Sequence, residues 1–578
     1  MARSDPAMPE IGSDADDDEA LRYAIALSLQ EHGQASPAGK APPTTSSVRE
    51  DPRRPEASLG LLSLDRKKME EERLARLAKK RPRSPSDGDG DDGGGGGGDD
   101  VVEVPPPRKK QVAPPPTPSK AIRPDTTVPY PNGAVKRTWV RGYPRTGDDI
   151  KIEEVLQKDK LLLGILSSFQ WDEEWMTSKV DMTRTKLVLA AFAADDRQKE
   201  AMRANVPPST KFCFPQMHGP GSMHSKLQVL KFPDYLRVVV PTGNLVPYDW
   251  GETGVMENMV FLIDLPRLDK AADHKPTMFS LELERFLRAM GIEDRMIDGL
   301  SNYDFSRTSN LGFVHSRPGG HTDESLKRVG YCGLGATVAA LGLATTEPVE
   351  VDVAACAMRL PSVSEAYALT PGTSVPLSDP SKANWSRPWD AGMKEYNART
   401  SRKPGDKRSR PSQLLKDRFR IYFPTNQTVS ESRGGRAAAG TICVQAKWWR
   451  SPDFPRELVR DCVNTRQGLL MHSKVIFVRR MKQSEDGLGD SAGWAYVGSA
   501  NLSESAWGRL VKDRSSGKAK MSCRNWECGV VVPLGMASKE GDDGATDLRV
   551  FDGTVPVPMQ VPGRAYGPND EPWFYSGS

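Results

Sequence analysis

Apolar positions fall in two regimes along this chain. Over residues 1–135 they are too sparse to build a core, and short helix-prone islands are set in polar, Gly- and Pro-rich sequence. Beyond that point aromatic and β-branched runs alternate with helix-like runs. The runs at 185–192, 228–232, 235–241 and 259–263 predict strands, as do those at 418–423, 475–479, 495–498 and 529–533. Apolar residues at helical spacing over 280–290 predict an amphipathic helix. Strands alternating with helices predict an α/β fold of sheets covered by helices. The expected organisation is a disordered tail at 1–135 and two halves at 136–345 and 346–578.

Composition narrows the class. The chain has 578 residues, of which 37% are hydrophobic, with 51 Gly and 47 Pro. Six consecutive glycines at 93–98 read as a flexible linker. No run reaches the roughly 18 apolar residues that a membrane helix requires. The start lacks the basic and apolar segments of a secretory leader. Seven Cys without a Cys-x-x-Cys pair argue against a disulfide framework or a zinc ribbon, and for a reducing compartment. The net charge of +4 is compatible with a polyanionic partner without demanding one.

An internal repeat carries the chemistry. Met223-His224-Ser225-Lys226 recurs as Met471-His472-Ser473-Lys474, in a chain with only seven His. Each copy runs into an apolar strand. A second strand follows and ends in a small-residue turn with Asn244 or Asn501, then Trp250 or Trp507, then Glu257 or Glu527 before a further strand. Two such sets related by a pseudo-two-fold would meet in one cleft. On an extended chain His and Lys two apart share a face. Lys226 and Lys474 supply point charges for phosphate oxygens, and Asn244 and Asn501 supply neutral donors. His224 and His472 can act as nucleophile or acid/base near neutral pH. Two Lys, two Asn and two His around one anion suit a pentacovalent phosphorus, with one His on each side for in-line displacement. No metal or other cofactor is required. Glu257 and Glu527 are expected to orient the imidazoles. Trp250 and Trp507 read as core packing.

These residues resemble the phospholipase D superfamily, whose members carry duplicated His-x-Lys…Asn motifs. Most members have Asp five residues after the Lys, where this chain has Lys231 and Arg479. Loss of that Asp in both motifs marks the tyrosyl-DNA phosphodiesterase branch. Further segments are similar to fungal members of that branch, among them Phe169-Gln170-Trp171-Asp172, Arg418 to Pro424, Trp507-Gly508 and Glu571-Pro572-Trp573. The resemblance implies two similar α-β-α sandwich domains. It also implies hydrolysis of a DNA 3′-phosphotyrosyl bond left by a stalled type IB topoisomerase, and removal of other 3′-blocking groups. His224 would be the nucleophile and His472 the general acid and base. Lys226, Lys474, Asn244 and Asn501 would hold the phosphate, and Ser503 would touch the DNA backbone. The partners implied are single- and double-stranded DNA with blocked 3′ ends and a topoisomerase-derived tyrosyl peptide. The expected state is a monomer with no membrane partner. Where the family has a Ser-rich turn, this chain has Ala355-Cys356-Ala357-Met358-Arg359.

The tail contains three islands. Residues 16–31 resemble a ubiquitin-interacting helix. An acidic first turn suits the helix dipole, Ala24 and Ser28 leave a small-residue docking face, and Leu21, Ile25 and Leu27 give apolar grip. Residues 99–104 resemble a SUMO-interacting strand. Residues 79–83 read as a nuclear import signal, with Arg108-Lys109-Lys110 as a second basic cluster. Nuclear localisation and ubiquitin and SUMO binding are therefore expected. Two alternatives are a general phospholipase D-type nuclease and a ubiquitin- or SUMO-binding adaptor on an inactive scaffold. Absence of the Asp counts against the first, and two intact His/Lys/Asn sets count against the second.

Overall fold

Near-continuous burial of the β-branched runs builds two large sheets covered on both faces. The computed structural model describes residues 128–219, 221–345, 349–359, 418–452, 454–480, 493–534 and 548–574. The first sheet has eight strands in the order Asp149–Ile150, Ala134–Thr138, Met259–Pro266, Tyr235–Pro241, Gln228–Lys231, Leu163–Ser167, Lys186–Ala190 and Thr210–Cys213. The second has seven, in the order Gly312–Ser316, Glu527–Pro533, Gly493–Gly498, Val475–Arg480, Val349–Ala354, Phe419–Phe423 and Val459–Asp461. Apart from the edge strand Asp149–Ile150, the two orders correspond strand by strand. Pairing directions correspond as well. In each sheet the first five of these strands are antiparallel to their neighbours, and the last two add in parallel.

Side chains on alternate sides of the strands sort into three apolar layers. Val229, Val238 and Phe261 of the first sheet join Phe477, Val497 and Val530 of the second in one central cluster. Leu230, Val239 and Leu262 face away and pack with helix Ile152–Leu156. Ile476, Val478 and Val531 face away on the other side, with Leu334 and Val338 of helix Gly330–Ala340. Helix Met278–Met290 adds Phe279, Leu283 and Phe286 to the central cluster, with Phe279 against Phe261 of one sheet and Phe313 of the other, so each half is an α-β-α sandwich and the two are related by a pseudo-two-fold. No helix among the described residues is long and apolar enough to cross a membrane.

Three expectations change at this level. Residues 128–135, expected to belong to the tail, are part of the fold. Val128 is buried in the outer cluster of the first half, and the Tyr130 N–H donates to Asp264 Oδ2 at 3.1 Å. The division at 345/346 also moves. Strand Gly312–Ser316 is the second sheet's counterpart of Ala134–Thr138 and pairs antiparallel with Glu527–Pro533, so the second sheet begins before residue 345. Strand Val349–Ala354 goes unread in the sequence because it carries buried charge. Its Asp352 accepts from Arg420 Nε at 2.6 Å, and its Glu350 pairs with Arg420 and Arg479. Arg479 thus takes an acidic partner within the sheet at the position where most phospholipase D relatives carry Asp. The expected helix runs Met278–Met290, capped by Thr277 and closed by Gly291 at φ +90°. The islands at 16–31, 79–83 and 99–104, and the basic residues 108–110, lie outside the described residues.

Candidate active site

Each His-x-Lys segment is held by the other half of the molecule. Met223 forms a bridge with Trp526, and the His224 N–H donates to the Trp526 carbonyl at 3.1 Å. Leu470–Met471 pairs in parallel with Met256–Glu257, and the His472 N–H donates to the Glu257 carbonyl at 3.1 Å. Both motifs are therefore anchored at the seam between the sheets.

The side chains cross the same seam. His224 Nδ1 lies 2.9 Å from Glu527 Oε2, and His472 Nδ1 lies 3.0 Å from Asp249 Oδ1. In each pair the carboxylate comes from the opposite half. Glu527 is held by Asn525 Nδ2 at 3.0 Å and by the Ser499 hydroxyl. Asp249 accepts from Asn258 Nδ2 at 3.0 Å and from the Asn244 N–H at 2.6 Å. A carboxylate at Nδ1 takes that N–H and turns Nε2 toward the reacting group. Lys226 Nζ lies 3.0 Å from the His224 carbonyl and 3.5 Å from His224 Nε2. Lys474 Nζ donates to the His472 carbonyl at 2.6 Å and to the Thr242 carbonyl at 3.0 Å.

The electrostatics separate the two imidazoles. Burial pushes His224 down, to about 4, despite Glu527, so its Nε2 lone pair is free at neutral pH. Burial acts the same way on His472, but the Asp249 carboxylate outweighs it and holds this imidazole above its usual range. Asp249 itself is drawn down to about 2, because His472, Lys474 and the Asn244 N–H outweigh its burial. Burial and the charge of Lys474 push Lys226 down to about 7. Two ammonium groups that repel each other across this site gain from an anion held between them.

A family model described as tyrosyl-DNA phosphodiesterase matches residues 134–567. The chain belongs to the tyrosyl-DNA phosphodiesterase family. It is thus a DNA-repair phosphodiesterase on a phospholipase D-like fold. It is 23% identical over 474 residues to tyrosyl-DNA phosphodiesterase 1 of Arabidopsis thaliana, covering 74% of this chain and 71% of that one. It is 23% identical to a probable tyrosyl-DNA phosphodiesterase of Caenorhabditis elegans, covering 61% and 68%. The crystal structure of the yeast tyrosyl-DNA phosphodiesterase shares the fold, with a TM-score of 0.50 at 19% identity, covering 76% of this chain and 99% of that one. A second family model, the ubiquitin interaction motif, matches residues 16–32.

The structure joins His224, Lys226 and Glu527 of this phosphodiesterase in one set of contacts and His472 and Lys474 in another, near enough for the charge of Lys474 to act on His224 and Lys226, and gives several other residues different positions. Glu257 does not orient a histidine. Its carboxylate is buried against Arg137 at 2.7 Å and Arg466 at 3.2 Å, and only its backbone carbonyl reaches His472. Asp249 takes the place expected of Glu257. The Asn501 Oδ1 accepts from the Cys356 thiol at 3.0 Å and the Ala357 N–H at 3.2 Å. Asn244 Nδ2 lies 3.4 Å from Gln170 Oε1. The Ser503 hydroxyl caps the short helix Glu504–Trp507 by accepting from the Ala506 N–H. Trp250 and Trp507 are buried, and Trp250 Nε1 donates to the Asn244 carbonyl at 3.0 Å. The Phe169 ring lies 5.3 Å from that of His224.

Asp249 and Cys356 are the residues the repeat does not disclose. The position matching Asp249, directly before the Trp, is Ala506 in the second half, so the symmetry hides it. The available signal is a carboxylate inside the apolar run from Leu245 to Trp250, which demands a buried partner. The hydrogen bond from the Cys356 thiol to Asn501 places it beside the second motif; burial would raise this thiol, but His472 and Lys474 outweigh it and hold it below its usual range.

Proposed function

We propose that this phosphodiesterase hydrolyses the 3′-phosphotyrosyl bond between DNA and a stalled type IB topoisomerase, and removes other 3′-blocking groups. The reaction runs through a phosphohistidine on His224 and needs no metal. The observation that supports this reading best is the pair of carboxylate-anchored histidines, His224 on Glu527 and His472 on Asp249, each beside a lysine and tuned in opposite directions. Neutral His224 attacks phosphorus through Nε2, and the bond from phosphorus to the tyrosyl oxygen breaks. His472 gives its proton to the departing phenolate. A phenol has a pKa of about 10, so it leaves more readily than an alkyl alcohol. Now neutral, His472 takes a proton from water, which attacks phosphorus. The phosphorus–nitrogen bond breaks and releases a DNA 3′-phosphate. Glu527 balances the charge that His224 gains while phosphorylated. Lys226, Lys474, Asn244 and Asn501 hold the phosphoryl oxygens as they gain charge.

Both motif sets come from one chain, so the enzyme acts as a monomer. Its substrates are single- and double-stranded DNA ends, with Ser503 close to the DNA backbone. Residues 16–32 bind ubiquitin through Leu21, Ala24, Ile25, Leu27 and Ser28, and residues 99–104 bind SUMO. The basic cluster at 79–83 directs the protein to the nucleus. The deciding experiment incubates the full chain with an oligonucleotide carrying a 3′-phosphotyrosine. Release of tyrosine and a 3′-phosphate oligonucleotide is expected, and substrate recovered intact would overturn the reading.

A further inference from the structure

A side-chain amide is nearly symmetric in shape, yet only one end of it serves a phosphate. Phosphate oxygens accept hydrogen bonds, so the N–H end of Asn501 must face them. Its other end is already committed, because two donors, the Cys356 thiol and the Ala357 N–H, converge on Oδ1 at 3.0 Å and 3.2 Å. Turning the amide over would set an N–H group against the Ala357 N–H and leave that backbone donor without its acceptor. Cys356 itself is 2% exposed, so water does not replace it readily.

The matching loop in the first half makes a different arrangement. It follows strand Leu163–Ser167 as the Cys356 loop follows Val349–Ala354, and these strands occupy corresponding places in the two sheets. There the residue in contact with the Asn is Gln170, whose Oε1 accepts from the Tyr248 hydroxyl and lies 3.4 Å from Asn244 Nδ2. The Asn244 Oδ1 is buried with no partner among the described residues. The N–H end of Asn244 is therefore partly engaged, while that of Asn501 has no partner among the described residues.

We propose that Cys356 is a positioning residue for phosphate binding, acting through Asn501: its thiol, together with the Ala357 N–H, fixes the amide so that Nδ2 meets the phosphoryl oxygen. The two asparagines are then unequal, with Asn501 the stronger donor. The inference rests on the proposed reaction for its substrate but not for its geometry.

The test is a double-mutant cycle read in two ways: kcat/KM on the 3′-phosphotyrosyl oligonucleotide, and affinity for orthovanadate as a phosphate mimic. Cys356→Ala removes the donor and should lower both about tenfold, the scale of one hydrogen bond aligned in a buried site. Cys356→Ser keeps a donor and should stay within about threefold of wild type. In an Asn501→Ala background, Cys356→Ala should cost clearly less than in the wild type, because the thiol has no amide left to orient. If Cys356→Ala fails to fold, Cys356→Val, similar in volume and also without a donor, replaces it. Wild-type behaviour of the donor-less variant, equal damage from Ser and Ala, or an undiminished loss in the Asn501→Ala background would each overturn the proposal. An enzyme that leaves the oligonucleotide uncut would refute the proposed substrate, while the orthovanadate cycle would still decide the role of the thiol.

Discussion

Asp249 reaches across the seam between the two halves to place a carboxylate oxygen 3.0 Å from Nδ1 of His472. The contact raises the affinity of that imidazole for its proton, so His472 stays protonated to higher pH, as the proposed general acid requires. Asp249→Asn removes the charge and should lower the pKa of His472. The basic limb of the kcat profile should move to lower pH, and the rate at neutral pH should fall within the range of about 10²–10⁴ that a general acid contributes. A basic limb that does not move would show that another group sets it.

The two histidines should fail differently. His224→Ala loses the nucleophile, so no covalent intermediate can form. His472→Asn keeps the nucleophile and loses both the acid for the phenol and the base for water. Since a phenol leaves fairly well unaided, the second step should suffer more. A protein–DNA adduct that resists denaturant and maps to His224 should accumulate in the His472 variant. Adduct in the His224 variant, or mapped to His472, would reverse the roles.

Turnover should persist in excess EDTA, since the charge facing the phosphate comes from Lys226 and Lys474. Loss of activity with chelator and its return with magnesium would contradict that assignment.

Glu257→Gln should cost stability rather than chemistry. It would leave Arg137 and Arg466 buried without their shared carboxylate, a change on the order of 3–5 kcal/mol. Thermal melting should show a clear drop, with kcat near wild type at a temperature where the protein is folded. An unchanged melting temperature with a large loss of kcat would return Glu257 to the catalytic set.

Deleting residues 1–120 should leave turnover of a short oligonucleotide nearly intact, because the described core begins at Val128. A cut beyond Tyr130 should damage it, as the Tyr130 N–H is tied to Asp264. Ubiquitin affinity, measured on the full chain, should disappear with Ala24→Gln or Ser28→Asp. Unchanged affinity in both variants would remove the helix at 16–32 from that role.

Local pattern alone determined the doubled His-x-Lys…Asn sets, the strands that carry them and the α/β class. Each of these is a matter of residue spacing within a few turns or strands. The seam was beyond its reach. Which carboxylate serves which imidazole depends on contacts 223 and 303 residues apart in the chain, and the two halves solve the problem with different residues, Asp249 and Glu527. A repeat read by symmetry names Glu257 in place of Asp249, because symmetry in sequence does not require the same side chain at both ends of a pseudo-two-fold. The strand Val349–Ala354 escaped for a related reason. Its Glu350 and Asp352 look like surface residues until Arg420 and Arg479, distant in sequence, arrive to neutralise them. Tertiary structure decided these points because a buried charge is tolerable only beside its partner, and the partner is supplied by the fold.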